Sequence, residues 1–325
     1  MPAWPDGNGA GARLCLAFAA DACFGEPPLQ CHPVYWMGKL VDLADWGMPG
    51  RERGPAAERI AGTVVALALP AGTYLATAWL LQSVPRRLRR TAEVMLLSFA
   101  LAGRSLYESA GDVQRGLAKS EEEGRDRVSR MVGRDTHSLD EAGITRAAIE
   151  SVAENCNDGV VAPVFYGLIG GAPLALAYKM VSTLDSMIGY RNLRYGNFGW
   201  ASARLDDAAG FIPARLTAAA ASLAGPLVGG STAGALGSWR RDAAAHASPN
   251  AGVCESAFAG ALGVCLGGGN RYGDIPVDTP LMGKGLREPA WEDIGRAANL
   301  MYVASTLVLM FGAVLRWMLR GWRRA

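Results

Sequence analysis

Two long uncharged segments restrict the folds open to this chain more than any other feature of its sequence. Ile60–Val84 carries no charged residue over 25 positions, and Ala297–Leu315 carries none over 19. A helix of about 20 apolar residues crosses a hydrocarbon core of about 30 Å. Both segments therefore predict transmembrane helices, and Pro70 predicts a kink in the first of them.

Arginines follow both segments. The first is followed by Arg86, Arg87, Arg89 and Arg90, and the second by Arg316, Arg320, Arg323 and Arg324. Because cytoplasmic flanks of transmembrane helices carry an excess of Lys and Arg, we expect both trailing ends in the cytoplasm. The asymmetry of charge is weaker for the first segment, because its leading flank also carries Arg51, Arg53 and Arg59.

Three further apolar runs leave their structure open. Gly159–Tyr178 is interrupted by prolines and glycines, Leu216–Trp239 consists mostly of small residues, and Ser256–Asn270 is too short to cross upright. Small residues allow helices to approach closely inside a membrane. Each run could be a span, a re-entrant piece or a helix packed within a bundle.

The composition narrows the class of protein. Charged residues make up 19% of the chain, and 32 Lys and Arg face 30 Asp and Glu, which excludes a nucleic-acid binder that relies on bulk positive charge. Charged residues are concentrated between Arg104 and Asp158. Helices are predicted over Ala92–Lys119 and Glu121–Val132, and the alternation of β-branched residues that is typical of strands is nearly absent from the chain. We expect a mainly α, polytopic integral-membrane helical bundle: one catalytic domain over 1–325, with 104–158 as a charged, water-facing cytoplasmic segment.

The block Ala147–Pro163 is the strongest candidate for chemistry. Glu150, Glu154 and Asp158 recur every four residues, a spacing that places three carboxylates on one helix face, and Asn155 adds an amide. Like charges at this spacing repel, and oxygen ligands at a membrane edge suit Mg²⁺ that holds phosphates. The alternative is a solvated helix end with chance acidity.

Two further blocks place acids beside apolar segments. Asp185 lies among apolar residues in Lys179–Arg191, where an ionisable group near a membrane indicates function unless it is a helix cap or surface turn. Asp206 and Asp207 stand together in Arg204–Arg215 and predict metal binding or a helix start with equal weight.

Turn-like blocks supply weaker candidates. In His246–Gly252, Asn250 is a candidate cap for the next helix. The glycines of Gly267–Gly269 favour a tight turn, or backbone N–H groups that meet a phosphate. Arg134, within Val132–Asp140, could clamp a phosphate or carboxylate with two hydrogen bonds.

The N-terminal block places Asp21, Glu26 and His32 around three prolines, which favour an extended backbone. Such a segment could fold back over a site as a lid, or it could be a rigid connector.

These blocks together resemble one family. The matching motifs are D-x-x-x-G-E-P-P with H-P-V-x-x-M-G-K (Asp21–Lys39), G-R-S-L (Gly103–Leu106), V-G-R-D-T (Val132–Thr136), A-x-x-E-S-V-A-E-N-x-x-D-G-V-V-A-P (Ala147–Pro163), T-L-D-S-M-x-G-Y-R (Thr183–Arg191), A-R-L-D-D (Ala203–Asp207), P-A-R-L-T (Pro213–Thr217) and S-P-N-A-G (Ser248–Gly252). In this order they resemble the adenosylcobinamide-phosphate synthase family of cobalamin biosynthesis. Ser182 and Cys254 depart from the asparagine and the proline expected there.

The resemblance implies a multi-pass protein of the cytoplasmic (inner) membrane whose site faces the cytoplasm. It implies ATP-dependent amide ligation, with Mg²⁺, of adenosylcobyric acid to aminopropanol phosphate or aminopropanol. The implied partners are the corrinoid substrate, the amine, the lipid bilayer and other late enzymes of the pathway, with no nucleic acid.

The resemblance and the charge pattern together suggest roles for individual residues. Glu154, Asp158 and Asp185 would bind the metal, and Glu150 would act with them in catalysis as a base for the amine. The predicted substrate- and phosphate-binding residues are Asp21, His32, Arg134, Asp135, Asn155, Tyr190, Arg191, Arg204, Asp206, Asp207, Ser248 and Asn250.

Two other functions remain open from the residues. An intramembrane Mg²⁺-dependent transferase needs two acidic motifs on facing helices, which Glu154–Asp158 and Asp206–Asp207 would imitate. A transporter would use charges at the membrane edge, although the long charged segment Arg104–Asp158 weighs against transport.

Overall fold

A computed structural model describes residues 9–47, 53–190, 192–272 and 275–322. These residues form twelve α-helices and one antiparallel pair of strands, which confirms the mainly α prediction. The elements are α1 (Ala10–Phe24), α2 (Pro33–Trp46), α3 (Pro55–Ser83), α4 (Arg89–Ser98), α5 (Gly103–Leu117), α6 (Glu121–Val128), α7 (Glu141–Asn155), α8 (Ala162–Ile188), α9 (Trp200–Ala224), α10 (Thr232–Asp242), α11 (Ala251–Leu262), β1 (Leu266–Tyr272), β2 (Ile275–Met282) and α12 (Glu292–Trp322).

Four helical segments within the described residues are long and apolar enough to cross a membrane. They are Pro55–Ser83, Glu141–Ile188, Trp200–Val228 and Glu292–Leu319. The first and last contain the two predicted spans, and α3 continues through Pro70. This arrangement agrees with a polytopic helical membrane bundle.

The three weaker runs have different structures. Gly159–Tyr178 lies in the apolar segment that includes α8. Leu216–Trp239 is broken, because α9 ends at Ala224 and α10 begins only at Thr232. Ser256–Asn270 is divided between α11 and β1.

A π-helical stretch, Cys156–Val161, separates α7 from α8. Pro163 lacks an N–H group and cannot donate to the Gly159 carbonyl, four residues earlier. That carbonyl instead accepts a hydrogen bond from the Ala102 N–H at 2.9 Å. The α-helical spacing predicted for Ala147–Pro163 therefore holds for Glu150 and Glu154 but does not extend to Asp158. Single-turn π stretches are often found at functional sites.

The chain divides into two compact units. Unit 1 comprises Met1–Ala102, Asp158–Gly210 and Leu309–Ala325, and in it α8 packs against α1, α2, α3 and α4. Unit 2 comprises Gly103–Asn157 and Phe211–Val308, and in it α7 packs against α5, α6 and α11.

Glycine lets two helices of unit 2 meet backbone to backbone. A β-carbon added at Gly260 of α11 would lie 2.2 Å from the carbonyl oxygen of Gly234 in α10. Such close packing of small residues is typical of helices within membranes.

A buried ion pair ties α1 to α4 in unit 1. Arg13 Nε lies 2.9 Å from Glu93 Oε2, with both side chains at most 10% exposed. Burial raises the pKa of Glu93, and Arg13 opposes that shift. The backbone of α8 bends at Gly171, with φ +68°, where an added β-carbon would lie 2.8 Å from Glu93 Oε1. Glycine thus provides both the conformation and the space at this bend.

Two predictions about local structure are wrong. The helix predicted over Ala92–Lys119 is broken at 99–102, because Ala102 pairs with Gly159 and Leu101 is buried. Strand content was underestimated, since the glycine run begins β1, which pairs with β2. Gly267 and Gly268 adopt φ values of +82° and +95° at an irregularity in the ladder, a conformation that glycine adopts readily.

The charged segment 104–158 contains most of α5 and all of α6 and α7, and it is only partly exposed. In α5 and α6, ion pairs such as Arg104–Glu108 and Arg125–Glu121 lie on the surface at helical spacing. In α7, by contrast, nine of 15 residues are buried, Ile144, Ile149 and Val152 among them. The water-facing prediction therefore fails for α7.

Candidate functional site

Four aspartates gather in unit 1, one in the π-helical stretch and three in α8 and α9, and we call them the acidic cluster: Asp158, Asp185, Asp206 and Asp207. Asp185 is close enough to Asp158 and Asp207 for their charges to interact. All four carboxylates are half-buried. Both Asp206 and Asp207 lie inside α9 rather than at its start, so the helix-start interpretation is wrong.

Two tyrosines support the acidic cluster. Tyr178 donates its hydroxyl hydrogen to Asp158 Oδ1 at 3.1 Å. The Tyr178 ring stacks on Tyr166 with centroids 5.0 Å apart, and Tyr166 donates to the Ala209 carbonyl of α9 at 2.9 Å. Tyr178 therefore orients Asp158, and ring stacking fixes Tyr178. Binding sites need side chains that are held in position in this way.

Basic groups approach the same cluster. Lys179 lies within electrostatic range of Asp158, Asp206 and Glu26. Arg204 is exposed, and its Nη1 lies 3.5 Å from Asp207 Oδ2. A lysine among several aspartates offsets part of their charge and offers a donor to an anionic ligand.

His32 is held at the start of α2. Its Nδ1 accepts the Val34 N–H at 3.1 Å, which makes it the N-cap, and its ring lies 5.9 Å from Phe99. Burial lowers the pKa of His32, Glu26 opposes that shift, and Lys179 adds to it. Leu29–Cys31 forms a 3₁₀ turn before α2, and the choice between a lid and a rigid connector stays a prediction.

Unit 2 contains a second polar group, which we call the Arg134 cluster: Arg134, Glu150, Glu255 and the Gly267 N–H. Arg134 Nη2 lies 2.7 Å from Glu150 Oε2, and the Gly267 N–H donates to Glu150 Oε1 at 2.7 Å. Side-chain exposure is 8% for Arg134 and 13% for Glu150. The glycines were predicted to form a tight turn or to meet a phosphate; they lie in β1, and the Gly267 N–H meets the protein's own carboxylate.

Glu255 is the member of this cluster that the sequence analysis missed. It lies on α11, whose other residues are apolar or small and whose residues are all buried. Burial raises its pKa well above the usual range, with Glu150 and Glu154 acting in the same direction and Arg134 against it. The sequence contains a signal that could have identified it, because Glu255 is the one charged residue between Ala251 and Gly269. The same signal, an acid within an apolar segment, identified Asp185.

Several predicted site residues make local contacts. Asp135 Oδ1 accepts the His137 N–H at 2.9 Å, and Asn155 donates to the Ser151 carbonyl at 2.9 Å. Asn250 occupies the N-cap position of α11, but its side chain makes no cap hydrogen bond. Ser248 makes it instead, accepting the Ala251 N–H at 3.2 Å, so the capping prediction for Asn250 is wrong.

The remaining predicted residues are spread between interior and surface. Asp21 is buried near the end of α1, whereas Glu154 and Tyr190 are exposed. Asn250 accepts a hydrogen bond from Arg215 Nη1 at 3.3 Å. Arg191 lies outside the described residues, as do Arg323 and Arg324 of the C-terminal arginines.

The acidic cluster has the oxygen donors that Mg²⁺ prefers. Among the described residues, however, no three His, Cys, Asp or Glu side chains are arranged to hold a metal ion. Mg²⁺ is usually bound by one or two carboxylates, with phosphate oxygens and waters as its other ligands. The residues of the acidic cluster fit binding of Mg²⁺ by one or two carboxylates together with phosphate oxygens, and they do not fit a site made of three carboxylates. Which of Glu154, Asp158 and Asp185 take part stays a prediction.

Comparison with known proteins identifies relatives over nearly the whole chain. The model of the CobD/Cbib protein family matches residues 14–301. The cobalamin biosynthesis protein CobD of Klebsiella pneumoniae is 43% identical over 310 residues, 94% of this chain and 97% of the relative. CbiB of Salmonella typhimurium is 41% identical over 306 residues (91% and 94%), and CobD of Geobacter metallireducens is 44% identical over 314 (94% and 96%). No solved structure matches.

Proposed function

Since this chain belongs to the CobD/Cbib family and its relatives are cobalamin biosynthesis proteins, we propose that it is an ATP-dependent amide ligase of that pathway. It joins a carboxyl group of adenosylcobyric acid to the amine of aminopropanol phosphate, giving adenosylcobinamide phosphate, or to that of aminopropanol. The observation that carries the proposal is the match to named relatives over more than nine-tenths of both chains.

The chemistry of amide formation explains the need for ATP. A carboxylate is a poor acyl donor, because oxide would have to leave. Transfer of a phosphoryl group to the carboxylate makes phosphate the leaving group, and the amine then displaces it. The sum is carboxylate, amine and ATP giving amide, ADP and phosphate.

The acidic cluster is the candidate site for the phosphates. When bound there, Mg²⁺ would neutralise negative charge on phosphate oxygens. Asp158 and Asp185 are the carboxylates that we propose to hold it, and the Tyr178 hydroxyl keeps Asp158 in place. Lys179 offsets the remaining carboxylate charge and offers a donor to a phosphate.

Glu150 was predicted as the base for the amine, and its contacts favour a different role. Both of its oxygens accept hydrogen bonds from protein groups, Arg134 and the Gly267 N–H. These contacts engage both carboxylate oxygens within the protein rather than with a substrate. We therefore propose that Glu150 positions Arg134 and β1.

We further propose that the protein lies in the cytoplasmic membrane with its C-terminus in the cytoplasm. The apolar part of α12 is followed by arginines, and such flanks remain in the cytoplasm. Release by alkaline carbonate without detergent would contradict membrane insertion. A periplasmic reporter active at the C-terminus would contradict the orientation.

Mass spectrometry of reaction products tests the activity. Purified protein in detergent receives adenosylcobyric acid, aminopropanol phosphate, ATP and Mg²⁺, and a parallel reaction contains aminopropanol. We expect a corrinoid product heavier by the amine less one water, with one ADP per amide. A product from a polyprenyl diphosphate, or solute uptake by vesicles without ATP turnover, would favour the transferase or the transporter instead.

A further inference from the structure

A groove in unit 1 shares no residue with the acidic cluster, and its walls come from α1 and α4. Its volume is about 640 Å³, within the range of about 300–1,000 Å³ that is usual for ligand sites. The apolar part of its lining includes Ala12 and Leu16 of α1 and Val94 of α4. Two arginines, Arg13 and Arg90, line it as well. This α1–α4 groove therefore combines apolar walls with guanidinium groups.

Large apolar side chains are exposed at and beside the α1–α4 groove. Leu16 is 60% exposed, and Met95, the residue after Val94, is 52% exposed. Exposed patches of large apolar side chains mark surfaces that bind a protein or a membrane. Because the described residues include four helical segments able to cross a membrane, we expect acyl chains to contact these side chains.

The groove lies near the end of a membrane helix. A β-carbon added at Gly11 of α1 would lie 3.2 Å from Cβ of Ala313, so α1 packs closely against the last apolar turns of α12. Arg316 follows within one turn, and it is close enough to Glu93 of α4 for their charges to interact. Trp317 beside it is 75% exposed. Tryptophan and arginine at the end of a span are typical of the membrane–water interface, where lipid headgroups lie.

The charges described at this end of unit 1 favour an anion. Arg13 lies 2.9 Å from Glu93, and Arg316 acts on the same carboxylate. One carboxylate offsets only one of these two guanidinium groups, and Arg90 adds an exposed third. A guanidinium binds phosphate oxygens with two parallel hydrogen bonds. The α1–α4 groove is therefore suited to an anionic phosphate ester that also carries an apolar chain.

We propose that the α1–α4 groove binds one anionic phospholipid of the bilayer. An acyl chain lies against Leu16 and Val94, and the phosphate meets Arg90. The inference rests on membrane insertion and does not depend on the ligase activity. With the C-terminus in the cytoplasm, as proposed above, the lipid belongs to the cytoplasmic leaflet, whose anionic headgroups give it a negative surface potential.

Native mass spectrometry of the protein in detergent tests this assignment. Phosphatidylglycerol and phosphatidylcholine with identical acyl chains are titrated into wild-type protein, Arg90→Gln and Arg87→Gln. We expect wild-type protein to prefer phosphatidylglycerol, and Arg90→Gln to bind it at least about tenfold more weakly, as for loss of a charged hydrogen bond. Arg87→Gln is the matched control and should bind like wild type, because Arg87 is an exposed arginine of the same run that is not part of the groove lining.

Leu16→Trp examines the apolar wall separately. The indole should occupy part of the groove, so we expect this variant to bind both lipids more weakly and to keep the preference for phosphatidylglycerol. Thermal unfolding gives a second readout, because a ligand that binds only the folded state raises the Tm. Phosphatidylglycerol should raise the Tm of wild-type protein and Arg87→Gln more than that of Arg90→Gln.

Four outcomes would overturn the proposal. The first is equal affinity for phosphatidylglycerol in wild-type protein and Arg90→Gln. The second is an equal loss in Arg90→Gln and Arg87→Gln, which would reflect general attraction to a basic surface. The third is displacement of the lipid by millimolar inorganic phosphate, which would indicate a site for small anions. The fourth is unchanged binding of both lipids to Leu16→Trp, which would contradict contact between the acyl chain and the groove.

Discussion

The acidic cluster of unit 1 and the Arg134–Glu150 pair of unit 2 use the same functional group, but they balance its charge differently. Glu150 receives a guanidinium and a backbone N–H, both at 2.7 Å. Asp158 receives a tyrosine hydroxyl at 3.1 Å, and the charges of Asp185 and its neighbouring aspartates act on one another. A carboxylate matched by a protein cation holds structure together, whereas an excess of carboxylates is suited to a cation that arrives with substrate.

This difference predicts two kinds of mutational effect. Changes to the matched pair should lower the free energy of unfolding, whatever their effect on turnover. Changes to the acidic cluster should appear mainly in turnover and in Mg²⁺ dependence, with stability largely retained.

The largest effect on stability is expected for Arg134→Ala. Removing one partner of a buried ion pair leaves an uncompensated charge and costs about 3–5 kcal/mol. Arg134→Lys keeps the charge but loses the planar fork, so it should fall between alanine and wild type. Denaturant unfolding in detergent micelles measures both.

Turnover of the folded lysine variant tests the predicted role of Arg134 in the site. We expect it to lose most of its activity, because lysine cannot make the two parallel hydrogen bonds that a guanidinium makes to a phosphate or carboxylate. Near-normal turnover would remove Arg134 from the site and leave it a purely structural residue.

The largest effect on turnover is expected for Asp158→Asn, about 100-fold or more, or about 2.7 kcal/mol in activation free energy. Asparagine is isosteric, so packing should survive, while the loss of charge should raise the Mg²⁺ concentration needed for half-maximal rate. The control is Glu123→Gln, a carboxylate paired with Lys119 and Arg127 at the surface of unit 2. Identical turnover and Mg²⁺ dependence in the two variants would contradict the metal assignment.

Glu93→Gln tests whether any carboxylate in unit 1 would give the same result. Glu93 is matched by Arg13 at 2.9 Å, so its substitution should resemble that of the matched pair in unit 2. Removing one partner of a buried ion pair costs about 3–5 kcal/mol of stability. The Mg²⁺ dependence of turnover should not change, and a shift would blur the distinction between the matched pairs and the acidic cluster.

The smallest effect is expected for Tyr178→Phe. The variant removes the hydroxyl that donates to Asp158 and keeps the ring stacked on Tyr166. Because Asp158 keeps its charge in this variant, we expect less than about a tenfold change in rate, or about 1.4 kcal/mol in activation free energy. A loss as large as that of Asp158→Asn would show that the tyrosine contacts substrate directly.

Much of the candidate site follows from residue type and position along the chain. Asp185 stands out as an acid within an apolar segment, and Asp206 and Asp207 stand out as a pair. The structure brings these three near Asp158. The four-residue spacing of the acids was less informative. Glu150 and Glu154 both lie on α7, but Asp158 lies in the π-helical stretch that begins at Cys156, where α-helical spacing no longer applies.

The sequence by itself determined the membrane helices and the family, because hydrophobic length and ordered motifs are properties read along the chain. Tertiary structure decided how the charges pair. The Gly267 N–H meets Glu150 across 117 residues, and the Gly159 carbonyl takes the Ala102 N–H that breaks a predicted helix. Such contacts depend on which surfaces pack together. Burial then makes an unpartnered carboxylate costly, and the protein supplies that partner to Glu150 through Arg134.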